Sequence, residues 1–331
     1  MRTISKLIVM AIVAQGGVVL ALAAESRRVE FTYTCEIQGV ASSVATVDLW
    51  MPVPSNCEGQ VISRVEVVHP EGGAVDTEKQ YGNRIFHRRF TGPFGPAEKF
   101  GAELVFDVER QEVALVAGAK PPAEQPSTPI DLEVYLAPNS LIPIDGKVAT
   151  IVEELKLPED DAVLAARRIY DYLIESMEYN WRAKGAGRGD VRWACDAKTG
   201  DCTDYHSTFL ALCRSRGIPA DHQFGFPLPT KKREGAIPFH HCWARFWSEP
   251  HGWVTVDISE ADKHPELREY NFGTFSANFL RMTHGRDITL VPPQSGEPLN
   301  IFIHPYVEVD GRPHKEVKWR AAFKELESPR A

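Results

Sequence analysis

Three residue types recur in this chain in an order that suits covalent catalysis. Cys202 stands in Thr199-Gly200-Asp201-Cys202-Thr203-Asp204-Tyr205-His206, ahead of the apolar run Phe209-Leu210-Ala211-Leu212-Cys213. The run ends in Arg214-Ser215-Arg216-Gly217-Ile218-Pro219, and Gly followed closely by Pro is a helix stop. This spacing predicts Cys202 near a helix N-terminus, where unpaired N–H groups and the dipole favour a thiolate. His241-Cys242-Trp243 and Gly252-Trp253-Val254-Thr255-Val256-Asp257 follow on expected strands. A thiol, an imidazole and a carboxylate supply a nucleophile, its base and the group that orients the base.

Each choice has competitors. His240 and His241 face opposite sides of a strand, so only one can meet Cys202. His206 lies four residues along the Cys202 helix, on the same face, and is too locally tethered to be the first choice of base. Asp257, in an apolar strand, needs a partner, because an unpaired buried carboxylate is costly. Asp201 and Asp204 are like charges beside a thiolate and should raise its pKa. A cationic imidazole offsets both, and Asp204 also suits a first helical turn. Cys195, Cys202, His206, His240, His241 and Cys242 carry zinc-binding atoms, but their spacing lacks the paired knuckles of structural zinc sites. No metal is expected.

The elements that must hold these residues fall into two regions. Val29–Thr34, Val44–Trp50, Val61–Val68, Ile85–Phe90 and Leu104–Val108 are β-branched and aromatic, punctuated by Pro, Gly and Asn. They predict an antiparallel sandwich. A loop at Pro121 to Pro129 and a linker at Ala137 to Pro143 follow. Val163, Ala166, Ile169, Tyr170, Leu173 and Met177 then recur at helical steps, placing an amphipathic helix over Asp160 to Met177. The Gly-rich stretch 185–190 reads as a flexible loop: no strand feeds it, so it is no dinucleotide cradle. Gln223–Phe226, Trp243–Trp247 and Trp253–Asp257 read as strands beside the Cys202 helix, giving an α+β layered domain. Leu299–Ile303 and Tyr306–Val309 are expected as further strands.

The chain has 331 residues, enough for two domains. Arg2 and Lys6 precede an apolar stretch that ends in Ala21-Leu22-Ala23, the pattern of a cleaved secretory signal over residues 1–24. A periplasmic or secreted protein follows, with no further membrane span. The formal charge is −8; losing the leader takes it to −10, since Arg2 and Lys6 leave and no acid does. Such an acidic product is a poor partner for nucleic acid. Lys231-Lys232-Arg233 reads as a solvated loop. Six cysteines are present, and an oxidising compartment permits disulfides. Cys35 with Cys57, then Cys195 with Cys242, are the pairings considered, with Cys213 as a small buried side chain.

At these residues the sequence resembles the transglutaminase-like superfamily of thiol enzymes. Gly200-Asp201-Cys202-Thr203-Asp204-Tyr205, then Arg214 to Ala220, then His241-Cys242-Trp243, then Gly252-Trp253 to Asp257, occur in order with suitable gaps. Tyr270-Asn271-Phe272-Gly273 and Gly285-Arg286-Asp287 extend the resemblance to the bacterial exported members. It implies a papain-like α+β core with Cys on a helix and His and Asp on antiparallel strands, preceded by a β-sandwich-like domain. It selects His241 over His240 as base and implies no cofactor. It also implies 25–140 as a β-rich accessory domain, 141–310 as the catalytic domain and 311–331 as a C-terminal tail. The expected activity is acyl transfer on amide or peptide bonds through Cys202, His241 and Asp257, as a peptidase or amidase on a protein or peptide substrate. Protein-glutamine crosslinking, or a scaffold with an unused triad, are the alternatives. Asp201 directly before the nucleophile and Cys242 beside the base depart from the pattern.

Overall fold

The computed structural model describes residues 10–14, 17–21, 26–95, 98–115, 131–249 and 251–327. The expected leader cleavage point and the Pro121 to Pro129 loop lie outside the described residues. Met10–Ala14 pairs with Gly17–Ala21 in a two-stranded sheet of its own.

The molecule is α+β. One five-stranded antiparallel sheet runs in the order Glu234–Ile237, Val317–Glu325, Ser26–Ile37, Phe100–Gln111, Gln60–His69. A second runs Arg312–Pro313, Tyr306–Val309, Thr46–Val53, Arg84–Thr91, Ala74–Thr77. Alternation decides which faces meet: in Ser26–Ile37 every second residue from Arg27 to Ile37 is buried, as a period of two requires. Val29, Phe31 and Tyr33 of the first sheet share a cluster with Val47, Leu49, Met51 and Phe86 of the second.

The C-terminal segment, expected as a tail, carries Val317–Glu325, which pairs with Ser26–Ile37 from Val317 opposite Ile37 to Glu325 opposite Val29. Leu299–Ile303 is not a strand; Leu299 forms only an isolated bridge to Ile288.

The second region is built on a four-stranded antiparallel sheet, ordered Gly252–Val256, His241–Ser248, Ala220–Pro227, Phe279–His284. Helices Lys147–Leu155, Ala162–Ser176, Val191–Ala197 and Cys202–Ser215 pack beside it. Their apolar faces join the sheet in a cluster that includes Tyr170, Tyr205, Phe209 and Phe246. Asp161 caps the Ala162 helix by accepting the Leu164 N–H. Phe224, Phe226 and Leu280 of this sheet reach into the sandwich cluster. Glu234–Ile237, from the stretch just before His241, is an edge strand of the first sandwich sheet. The two regions therefore meet where the His241 strand begins.

All six cysteines are free thiols, so neither Cys35–Cys57 nor Cys195–Cys242 is a disulfide. Cys35 lies inside the first sheet, opposite Ala102 and Trp319, whereas Cys57 sits in a turn bridged to Gln60. Cys195 is on its own helix, while Cys242 faces the start of the Cys202 helix. Among the described residues no helix is long and apolar enough to cross a membrane.

Candidate active site

Cys202 is the first residue of the helix Cys202–Ser215. The N-terminus is closed by a capping box: Asp201 Oδ1 accepts the Thr203 N–H at 2.7 Å, and Asp204 Oδ2 accepts the Asp201 N–H at 3.0 Å. Asp204 is fully buried and also takes the N–H groups of Gly187 and Gly189, at 2.8 and 2.9 Å. The 185–190 stretch is therefore pinned to the helix start rather than loose, because a buried carboxylate needs several donors. The same packing explains Gly200: a Cβ there would lie 2.5 Å from Asp204 Cβ and 2.6 Å from its carboxylate. The Asp204 and Tyr205 N–H groups go to Asp201 O. Among the described residues the Cys202 N–H takes no acceptor, as one of the free donors that open a helix.

The far end is equally fixed. Gly217 has φ +82°, and the Ile218 N–H returns to Cys213 O at 2.8 Å, a C-terminal cap that glycine makes easy. Buried Arg214 donates to Ala220 O and to Ala137 O and Asn139 Oδ1 of the linker.

His241 opens its strand, and its Nε2 lies 2.6 Å from Asp257 Oδ2. That leaves Nδ1 for the sulfur, and the ring and Cys202 each stabilise the other's charged form. Trp243 lies two residues on, on the same side of the strand. Its ring and that of Phe279 flank the imidazole, with centroids 6.2 and 5.2 Å away. Asp257 is not within a strand. It follows Gly252–Val256 and caps the helix Ile258–Lys263, with Oδ1 accepting from the Glu260 N–H at 3.0 Å and Ser259 Oγ at 3.1 Å. His240 turns away to His304, Nδ1 to Nε2 at 3.1 Å.

The electrostatics favour an ion pair. Cys202 is held well below the ordinary thiol value, first by a hydrogen bond from Cys242, then by His241 against the opposing effect of burial. Burial alone would push the His241 imidazole down, but Asp257 and Cys202 hold it well above its usual range. Burial also opposes ionisation of Asp257, yet His241 keeps it far below the usual carboxylate range. The expected like-charge conflict falls on Asp201: burial, then Cys202 and Asp204, raise its carboxyl to about 7.

A second layer supports the first. The Ile258 N–H donates to His206 Nε2 at 3.1 Å. That partner assigns the proton to Nδ1, which faces Cys242 Sγ at 3.6 Å. His206 is thus a fully buried spacer between the Asp257 cap and Cys242. Arg286, also fully buried, donates to Ser207 Oγ, His222 Nδ1 and the Arg188 and Gly189 carbonyls.

His206, His222 and Cys242 offer three possible metal-binding atoms within 4.8 Å of one another. Their protons argue against a cation. A guanidinium can only donate, so Arg286 makes His222 Nδ1 an acceptor and leaves the proton on Nε2. His206 Nδ1 also carries its proton. A metal would need both lone pairs and would sit beside Arg286, so the residues do not fit one.

Parts of this arrangement were not legible in the sequence. His206 was set aside for its tether to the helix, and its role depends on the Asp257 cap. Asp257 carried an unused signal: Glu260 follows three residues on, the mark of a helix start. Tyr179, paired with Gly200 in a short parallel bridge, lies within electrostatic reach of Cys202. Trp193 packs against Gly185, and Trp181 is 62% exposed.

Residues 149–258 match the transglutaminase-like superfamily. The chain is 27% identical over 339 residues to an uncharacterized protein of Haemophilus influenzae, across 90% of this chain and 91% of that one. Among solved structures it is similar to a proposed cysteine protease from Cytophaga hutchinsonii, with a TM-score of 0.58 at 13% identity and 93% of each chain covered. The periplasmic domain of TgpA from Pseudomonas aeruginosa is a more distant likeness, with a TM-score of 0.35 at 14% identity over 72% of this chain and 90% of that one. The Cytophaga likeness speaks to the fold, and it covers the β-sheets as well as the core.

Proposed function

We propose that this chain, which belongs to the transglutaminase-like superfamily through residues 149–258, is an exported cysteine hydrolase of amide or peptide bonds. One observation carries the reading: Cys202 opens a helix, its thiolate favoured by His241, whose Nε2 is held 2.6 Å from Asp257. The Cys202 thiolate attacks the substrate carbonyl and forms a tetrahedral oxyanion. The Cys202 N–H, free at the helix start, donates to that oxygen. The His241 imidazolium gives its Nδ1 proton to the leaving amine, and the acyl-enzyme forms as the C–N bond breaks. Neutral His241 then takes a proton from water, whose oxygen attacks the thioester and releases the acid and the thiolate. Asp257 holds the imidazole orientation throughout and stabilises its charge.

The test incubates wild type and Cys202→Ala with a peptide library, with and without a primary amine. Cleaved peptides made only by wild type support hydrolysis. Amine-tagged products in place of cleavage would make it a transferase. Identical product mixtures from both proteins would remove the enzymatic reading.

A further inference from the structure

Cys242 is a buried thiol that the proposed reaction does not use. It follows the base directly in sequence, and its side chain points to the opposite side of the strand from its neighbours, toward the Cys202 helix. Its Sγ lies 3.8 Å from Thr203 Oγ1 and 3.6 Å from His206 Nδ1, both in the first turns of that helix. It shares a buried cluster with Cys202, and the Cys242 thiol holds the Cys202 pKa down. Cys195 and Cys213 belong to the helical cluster, and Cys35, though in the same cluster as Cys202, lies inside the first sandwich sheet opposite Ala102 and Trp319.

We propose that Cys242 is a resolving thiol for Cys202, so that a peroxide converts the pair to a reversible disulfide and protects the nucleophile from irreversible oxidation. The Cys202 thiolate attacks one peroxide oxygen and the O–O bond breaks. With one proton taken up, the products are the Cys202 sulfenic acid and an alcohol or water. Cys242 sulfur then attacks the sulfenic sulfur. The S–O bond breaks, the Cys242 proton leaves with the oxygen as water, and the disulfide forms. The two electrons come from the two thiols and go to the peroxide; a dithiol reductant restores them. The His206 Nδ1–H directed at Cys242 Sγ stabilises that sulfur as it gives up its proton. Without a resolving partner, a sulfenic acid in excess peroxide continues to sulfinic and sulfonic acids.

The inference rests on Cys202 being a thiolate nucleophile, and the experiment separates the two. The native protein is treated with hydrogen peroxide, quenched with a thiol alkylator, and analysed by intact mass and peptide mapping. A parallel sample measures alkylation of Cys202 without peroxide. The expected result is loss of two hydrogens in mass, a cross-linked peptide pair containing Cys202 and Cys242, and full recovery of alkylation after dithiothreitol. Cys242→Ser should instead accumulate oxygen adducts on Cys202 that dithiothreitol does not reverse. Rapid Cys202 alkylation with no 202–242 cross-link in wild type would overturn the proposal and leave the nucleophile standing. Slow alkylation in the untreated protein would overturn both.

Discussion

Asp257 divides its carboxylate between two tasks: Oδ2 holds His241 Nε2 at 2.6 Å, while Oδ1 accepts the Glu260 N–H at 3.0 Å. The base and the helix that follows it are therefore tied to one side chain. Asp257→Asn keeps a good cap but offers the imidazole the wrong partner. Its turnover should fall by about 10⁴-fold, the scale seen when a triad carboxylate becomes an amide. Asp257→Ala should lose the same activity and about 1 kcal/mol more stability, the worth of the cap. Steady-state rates and denaturant melts of the two variants check this.

The same pair sets a stability window. Asp257 titrates below its ordinary 3.8 in the fold, so its contribution is full above that value and fades only in strong acid. His241 titrates above its ordinary 6.5, so its contribution is full below that value and is lost as pH rises through the raised one. The destabilisation of Asp257→Asn relative to wild type should be largest between these two values and shrink in alkali. A constant difference across that range would mean the two groups are not coupled.

Cys242 donates to the Cys202 sulfur, so Cys242→Ala should raise the Cys202 pKa and move the acid limb of its alkylation profile upward. Cys242→Ser keeps a donor and should restore most of the shift. Equal profiles for Ala, Ser and wild type would show that the contact has no electrostatic effect.

Asp201, raised to about 7, ionises near neutrality beside Cys202. Its raised value means that its contribution to stability is lost as pH climbs toward 7. Asp201→Asn retains the cap, since Asn and Asp serve almost equally. The variant should gain stability over wild type above about pH 7 and little below the ordinary carboxylate range. Urea melts at the two ends of that interval would reveal it.

Arg286 links the helix, the 185–190 stretch and the Ala220–Pro227 strand. Arg286→Met strands Ser207 and two backbone carbonyls in the interior, and should cost about 3 kcal/mol by denaturant titration.

The helix that presents Cys202 was legible because its stop signal is local: Gly217 and Pro219 act through backbone geometry alone. The sandwich strands were legible for a similar reason, since alternation in Val29 to Thr34 needs only one buried face. Val317–Glu325 shows the same alternation, with Ala321 and Phe323 buried, yet its partner lies at the other end of the chain. What pairs with a strand is not written in the strand. Asp204 illustrates a second limit. Its place in the first turn was foreseen, but its grip on Gly187 and Gly189 depends on where the loop returns. The cysteine pairings failed for the same reason, because spacing along the chain says nothing of which buried surface each thiol enters.

The most direct measurement follows the alkylation rate of Cys202 against pH in wild type and His241→Ala. Wild type should react rapidly well below the ordinary thiol range. The variant should react slowly until the pH approaches that range. Superimposable slow profiles would contradict the ion pair, and with it the enzyme built on Cys202.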